Sequence, residues 1–78
     1  MESADDPRLL ILGGQIRKLR RDRDLSQEAL ADAASIHRNH LGAIEKGRKA
    51  VGILTLFKIA DALGVAPAKL FDKPSIEN

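Results

Sequence analysis

The sequence predicts an all-α domain, a compact bundle of five short helices. Three observations carry this. Apolar residues recur at three- and four-residue spacing, helix-start and helix-stop residues bracket those segments, and no stretch alternates strictly between apolar and polar residues or carries an Asn-Gly hairpin signal.

Residues 1–6 are polar and expected to be flexible, residues 7–72 to form the domain, and residues 73–78 to be a flexible tail. Asp6 followed by Pro7 opens the first helix: the carboxylate accepts from free main-chain N–H groups, and proline needs no donor at that position. This helix is expected to run from Pro7 to about Arg23, with a basic end that suits the helix dipole. Leu9, Leu12, Ile16 and Leu19 make its buried stripe. Leu10 and Ile11 fall outside the stripe, which points to a second contact surface. Gly13 and Gly14 cost roughly 1 kcal/mol each relative to alanine, so close approach by another helix is expected there. A phosphate-cradling loop is the other reading of paired glycines, but no strand precedes them and no GK[ST] follows.

Asp24 is expected to stop this helix at positive φ, with Leu25 entering the core. Ser26 caps a second helix, Gln27 to about Ala34, whose inner face is Leu30 and Ala34. Alanines at 29, 31, 33 and 34 keep it thin, so a following helix can cross it closely. Ser35 and Ile36 make a turn. A third helix spans Arg38 to about Lys46, apolar at Leu41 and Ile44, and Gly47 stops it. The fourth runs from Ile53 to Leu63, with Leu56, Phe57, Ile59, Ala60 and Leu63 too many for one stripe. Gly64 ends it and Val65 folds back. Pro67 opens a last short helix to Phe71.

Seventy-eight residues without cysteine place the chain near the lower size limit for an unstapled core, so stability must come from tight helix packing or a second copy. The lack of cysteine fits a reducing compartment. No apolar run approaches a membrane span, and the acidic N-terminus lacks the order of a signal peptide, so a cytoplasmic protein without a membrane partner is expected. Net charge is only +2. Cations nevertheless crowd two segments, Arg17, Lys18, Arg20, Arg21 and Arg23 in one and Lys46, Arg48 and Lys49 in the other. Either run alone reads as a solvated face, whereas two flanking one motif suit phosphate binding.

That motif is LSQEALADAASIHRNHLGAIEKG, followed by LTLFKIADALGVAPAKLF. It resembles the lambda-repressor-like (XRE) helix-turn-helix family over about Leu12 to Phe71. The compact size is similar to that of restriction–modification controller proteins and phage Cro-type repressors. The resemblance implies that Gln27 touches the DNA backbone, that Arg38, Asn39 and Ala43 face base edges, and that His40 lies near backbone or bases. It also implies an ion pair between Arg20 and Glu45, and a twofold dimer contact through the fifth helix, for which Leu10, Ile11, Leu70 and Phe71 are the candidates. Three positions depart from the pattern: His37, Gly52 and Ala66 replace the usual capping hydroxyls.

The chemistry of the residues agrees with such a use. Arg38 offers a fork matching guanine O6 and N7, though it would equally serve on phosphate. Asn39 can pair with adenine or remain solvated. Ala43 suits the thymine methyl or simply permits close helix approach, and Gly42 leaves that face bare. Gln27, Lys46, Arg48, Lys49 and Arg17 make a phosphate clamp. His37 and His40 are three residues apart but lack further metal ligands, so phosphate contact is the better reading and neither metal nor cofactor is called for.

An enzyme is not expected: the histidines and scattered carboxylates make no nucleophile, base and orienter set. Binding of RNA or single strands wants exposed aromatics, and Phe57 and Phe71 occupy core-like positions. The expectation is a transcriptional regulator binding double-stranded DNA at an inverted repeat as a homodimer. RNA polymerase is a further possible contact. The rival is a protein-interaction module such as an antitoxin, with a toxin as partner and possible repression of its own operon.

Overall fold

Asp6 starts the first helix by accepting the Arg8 main-chain N–H at 2.9 Å, with Pro7 beside it. The computed structural model describes residues 6–72. From that cap the chain forms α1 (Pro7–Asp22), α2 (Gln27–Ala34), α3 (Arg38–Glu45), α4 (Ile53–Leu63) and a closing 3-10 helix (Pro67–Phe71). The expected flexibility of the chain ends falls on residues 1–5 and 73–78, outside the described residues.

The all-α class holds, but the fifth helix is a 3-10 turn. Ala66 gives no side-chain cap, Pro67 has no N–H, and five residues cannot sustain an α-helical ladder. Bonds of the tighter type run from Lys69 N–H to the Ala66 carbonyl and from Asp72 N–H to that of Lys69. Two helix ends move by one residue: Arg23 and Lys46 follow α1 and α3 instead of closing them.

All four α-helices stop in the same way. A left-handed residue follows each, namely Asp24 at φ 55°, Ser35 at 58°, Gly47 at 69° and Gly64 at 72°. Its N–H and that of the next residue bond back to the last helical turn, satisfying carbonyls that the helix cannot. After three of the stops the next side chain, Leu25, Ile36 or Val65, packs against the core. After α3 it is the exposed Arg48.

The core joins Leu12, Ile16 and Leu19 of α1 to Leu30, Ala31 and Ala34 of α2, Leu41 and Ile44 of α3, and Leu56, Ile59, Ala60 and Leu63 of α4. α2 packs on both α3 and α4, α1 packs on α3, and the 3-10 helix wedges between α1 and α4. Gln15, buried on α1, donates to the Lys69 carbonyl at 3.0 Å and ties that wedge down. Arg23 donates to the Leu63 carbonyl at 2.7 Å and the Leu19 carbonyl at 3.0 Å, so this cation fastens the end of α4 to α1.

Burial corrects four side-chain expectations. Leu9 is half-buried, at the open edge of its stripe. Leu70 is 0% exposed and belongs to the protomer's own core, which removes its side chain from any dimer contact. Phe71, 59% exposed, is outside: in a 3-10 turn adjacent side chains diverge widely, and Leu70 holds the inward position. Phe57 is 42% exposed, because it lies one residue, about 100°, past Leu56 on a helix whose inner face is already complete.

Candidate nucleic-acid interface

The turn Ser35–His37 sets α3 against α2 so that the start of α3 points outward. Ile36 holds the turn to the core, and the His37 ring takes the place of a hydroxyl cap, its Nδ1 accepting the Asn39 main-chain N–H at 3.1 Å. That bond commits Nδ1 as an acceptor and leaves Nε2 as the ring's free polar edge.

Beyond the cap, α3 presents Arg38 and Asn39, both exposed. With Gly42, Ala43, Gln27, Lys46 and Arg48 they line one open concave surface. An adjoining hollow is lined by Arg17, Arg20, Arg21, Gln27, Glu45 and Lys46. Gln27 and Lys46 belong to both, so α1, α2 and α3 share one continuous cationic face. The fold thus brings together Gln27, Arg38, Asn39, Ala43, Lys46, Arg48 and Arg17. His37, His40 and Lys49 lie outside both hollows, His40 half-buried and the other two exposed. Arg21, part of the first basic run but not of the expected phosphate clamp, joins the face one helical turn after Arg17.

Behind this face lies a polar knot. Arg20 donates to Glu45 Oε2 from Nε at 2.8 Å and to Oε1 from the guanidinium at 3.1 Å, and its remaining nitrogen reaches the Leu25 carbonyl at 2.8 Å. Gln27 Nε2 adds a bond to Glu45 Oε1 at 3.0 Å. The Arg20 and Glu45 side chains are only 10% and 2% exposed. One carboxylate therefore links all three helices, and its negative charge is spent on Arg20 instead of facing the cationic surface.

Tight packing keeps this geometry. A Cβ on Gly13 would run into the main-chain oxygens of Ile44 and Glu45, so α1 touches the end of α3 with nothing between them. Gly47 has the same close relation to the Leu10 backbone, in addition to its positive φ. Among the described residues no group of three or more His, Cys, Asp or Glu is placed to hold a metal, and no helix is long and apolar enough to cross a membrane.

The sequence matches the pattern of the helix-turn-helix family over residues 16–70. This chain belongs to that family. Among helix-turn-helix relatives, control protein C.BamHI of Bacillus amyloliquefaciens is 37% identical over 70 residues, covering 88% of this chain and 86% of the relative. Control protein C.SmaI of Serratia marcescens is 34% identical over 68 residues, covering 87% and 81%. The crystal structure of the restriction–modification controller protein C.AhdI from Aeromonas hydrophila superposes with a TM-score of 0.80 at 36% identity, covering 81% of this chain and 96% of that one. In these helix-turn-helix terms α2 and α3 are the paired helices, and the cationic face is built on them.

Away from that face, Leu10, Ile11 and Phe71 are exposed, as are Ile53, Leu54 and Phe57 of α4. The last three were not among the dimer candidates. Their helix carries more apolar residues than one buried stripe can use.

Proposed function

We propose that this protein is a transcriptional regulator that binds double-stranded DNA sequence-specifically, with α3 in the major groove. The observation that carries this reading is the hollow that places Arg38 and Asn39 at the exposed start of α3, over bare Gly42 and Ala43, with Lys46 and Arg48 at its rim. A recognition helix needs that order: base-reading donors at its N-terminal end, small residues so that the helix can sit deep, and cations where the phosphate backbones pass. Arg38 suits guanine, Asn39 adenine and Ala43 a thymine methyl. Lys46, Arg48, Arg17, Arg21 and Lys49 grip phosphate, with Nε2 of His37 and the ring of His40 as further backbone contacts.

The protein acts as a homodimer on an inverted repeat, its two recognition helices about 34–36 Å apart in successive major grooves. Support for pairing comes from the apolar side chains left exposed at Leu10, Ile11 and Phe71 and on α4. The likeness to the restriction–modification controller protein C.AhdI favours a role in governing restriction–modification genes. As a DNA-binding regulator of the same kind as its relatives, it works in the cytoplasm.

Selection of bound fragments from random duplex DNA, followed by salt titration on the selected site, tests the proposal. An enriched inverted repeat and affinity falling steeply with salt are expected. No enrichment, with a protein partner captured through the apolar surface instead, would favour an antitoxin-like interaction module.

A further inference from the structure

We infer that Gln27 is a base-reading residue, not a phosphate contact, and that bare Gly42 is what allows it to read. This rests on placing α3 in the major groove. Gln27 opens α2, and its Nε2 donates to Glu45 Oε1 at 3.0 Å. That carboxylate is itself held by two nitrogens of Arg20. An ionised carboxylate only accepts hydrogen bonds, so the amide cannot turn over: nitrogen faces Glu45 and the carbonyl oxygen faces away. No described residue donates to Oε1, and it is not among the buried atoms that lack a partner, so it is open to solvent.

The amide lies across the groove-facing side of α3. A Cβ on Gly42 would stand 3.8 Å from Gln27 Oε1 and 3.9 Å from Nε2, in ordinary contact. With glycine there, Gln27 shares the hollow with Arg38, Asn39 and Ala43.

Phosphate oxygens accept and never donate, so an outward carbonyl oxygen has nothing to gain from the DNA backbone. In the major groove the available donors are the exocyclic amines of adenine and cytosine. Nε2 keeps one hydrogen after its bond to Glu45; a phosphate oxygen that accepted it would leave Oε1 without a donor, whereas adenine N7 accepts it while the N6 amine donates to Oε1. Adenine satisfies both atoms of the amide and cytosine only one. Gln27 thus specifies one adenine in each half-site, and Glu45 is the positioning residue that sets which way the amide faces.

The test compares selections from random duplex DNA by the full-length wild type, Gln27→Met and Gln27→Leu, each checked for folding by thermal melting. Methionine keeps the length and loses both hydrogen-bonding atoms; leucine loses them too, at a shorter reach. Both variants are expected to lose the same adenine preference, worth roughly 5- to 150-fold in affinity, and to keep the rest of the motif and the salt slope. A Gln27→Met protein that selects the unchanged wild-type motif, with affinity lowered equally on all sequences, overturns the inference and restores a phosphate role. Should Gln27→Met fail to fold, Gln27→Leu decides alone: an unchanged motif overturns the inference. A wild type that enriches no motif overturns this inference together with the proposed function, whereas a wild-type motif kept by the variants overturns this inference alone.

Discussion

Gly13 of α1 faces the main-chain oxygens that close α3: a Cβ there would stand 2.6 Å from the Glu45 oxygen and nearer still to that of Ile44. Backbone on both sides leaves nothing free to yield. Gly13→Ala gains about 1 kcal/mol of helix propensity. The clash outweighs that gain, and a net loss of about 1–3 kcal/mol is expected in urea unfolding. Gly52 is the counter-case, since nothing lies within 4 Å of a Cβ there and it caps α4 without a side chain. Gly52→Ser should stabilise by about 0.3 kcal/mol in the same measurement through a new cap.

The Arg20–Glu45 pair predicts strong non-additivity. Glu45→Ala strands a nearly buried guanidinium and should cost about 3–5 kcal/mol. Arg20→Met combined with Glu45→Leu removes both charges and should lose less than either single replacement. A double-mutant cycle by denaturant unfolding measures this, and equal additive losses would show that the pair is not coupled.

Asp6 gives the pH dependence. Hydrogen bonds from the Arg8 side chain, then from the Arg8 main-chain N–H, lower its carboxyl from the ordinary 3.8 to about 2. A depressed carboxyl stabilises the folded state above its unfolded value and loses that contribution as pH falls, here between about pH 4 and pH 2. The start of α1 should therefore loosen over that range. In an NMR titration Arg8→Ala should move the Asp6 midpoint up toward its ordinary value. An unmoved midpoint would remove Arg8 as the cause.

Arg48 occupies the place after a helix stop that Leu25, Ile36 and Val65 fill elsewhere with a core contact. Its release to the cationic face predicts that Arg48→Ala weakens binding on every sequence and flattens the log–log salt slope by about 0.9. Arg21→Ala should behave in the same way. A change of site preference by either variant would assign that arginine to base reading.

Much of the architecture was legible because it is local chemistry. Asp6-Pro7, Ser26, Asp24, Gly47 and Gly64 each solve a helix-end problem within a few residues, so boundaries followed to within one residue. Ser35 did not announce its left-handed backbone, since serine is no stop signal and the conformation is held by the bonds behind it together with Ile36 entering the core. The inward choice of Leu70 over Phe71 was equally hidden, because both are apolar and only the wedge between α1 and α4 decides. At the site, Arg38, Asn39 and Ala43 were reached through the family resemblance, and the fold brings them into one hollow. The tether from Gln27 to Glu45 spans eighteen positions and needs the fold to bring its ends together.

The proposed reading of a base by Arg38 at the tip of α3 is tested most directly by measuring the affinity of wild type and Arg38→Ala for the selected site and for its single-base variants at fixed salt. Loss of about 1–3 kcal/mol of discrimination at one guanine, with the other positions unaffected, is the predicted result. Arg38→Ala binding with the wild-type order of preference at every position would contradict it.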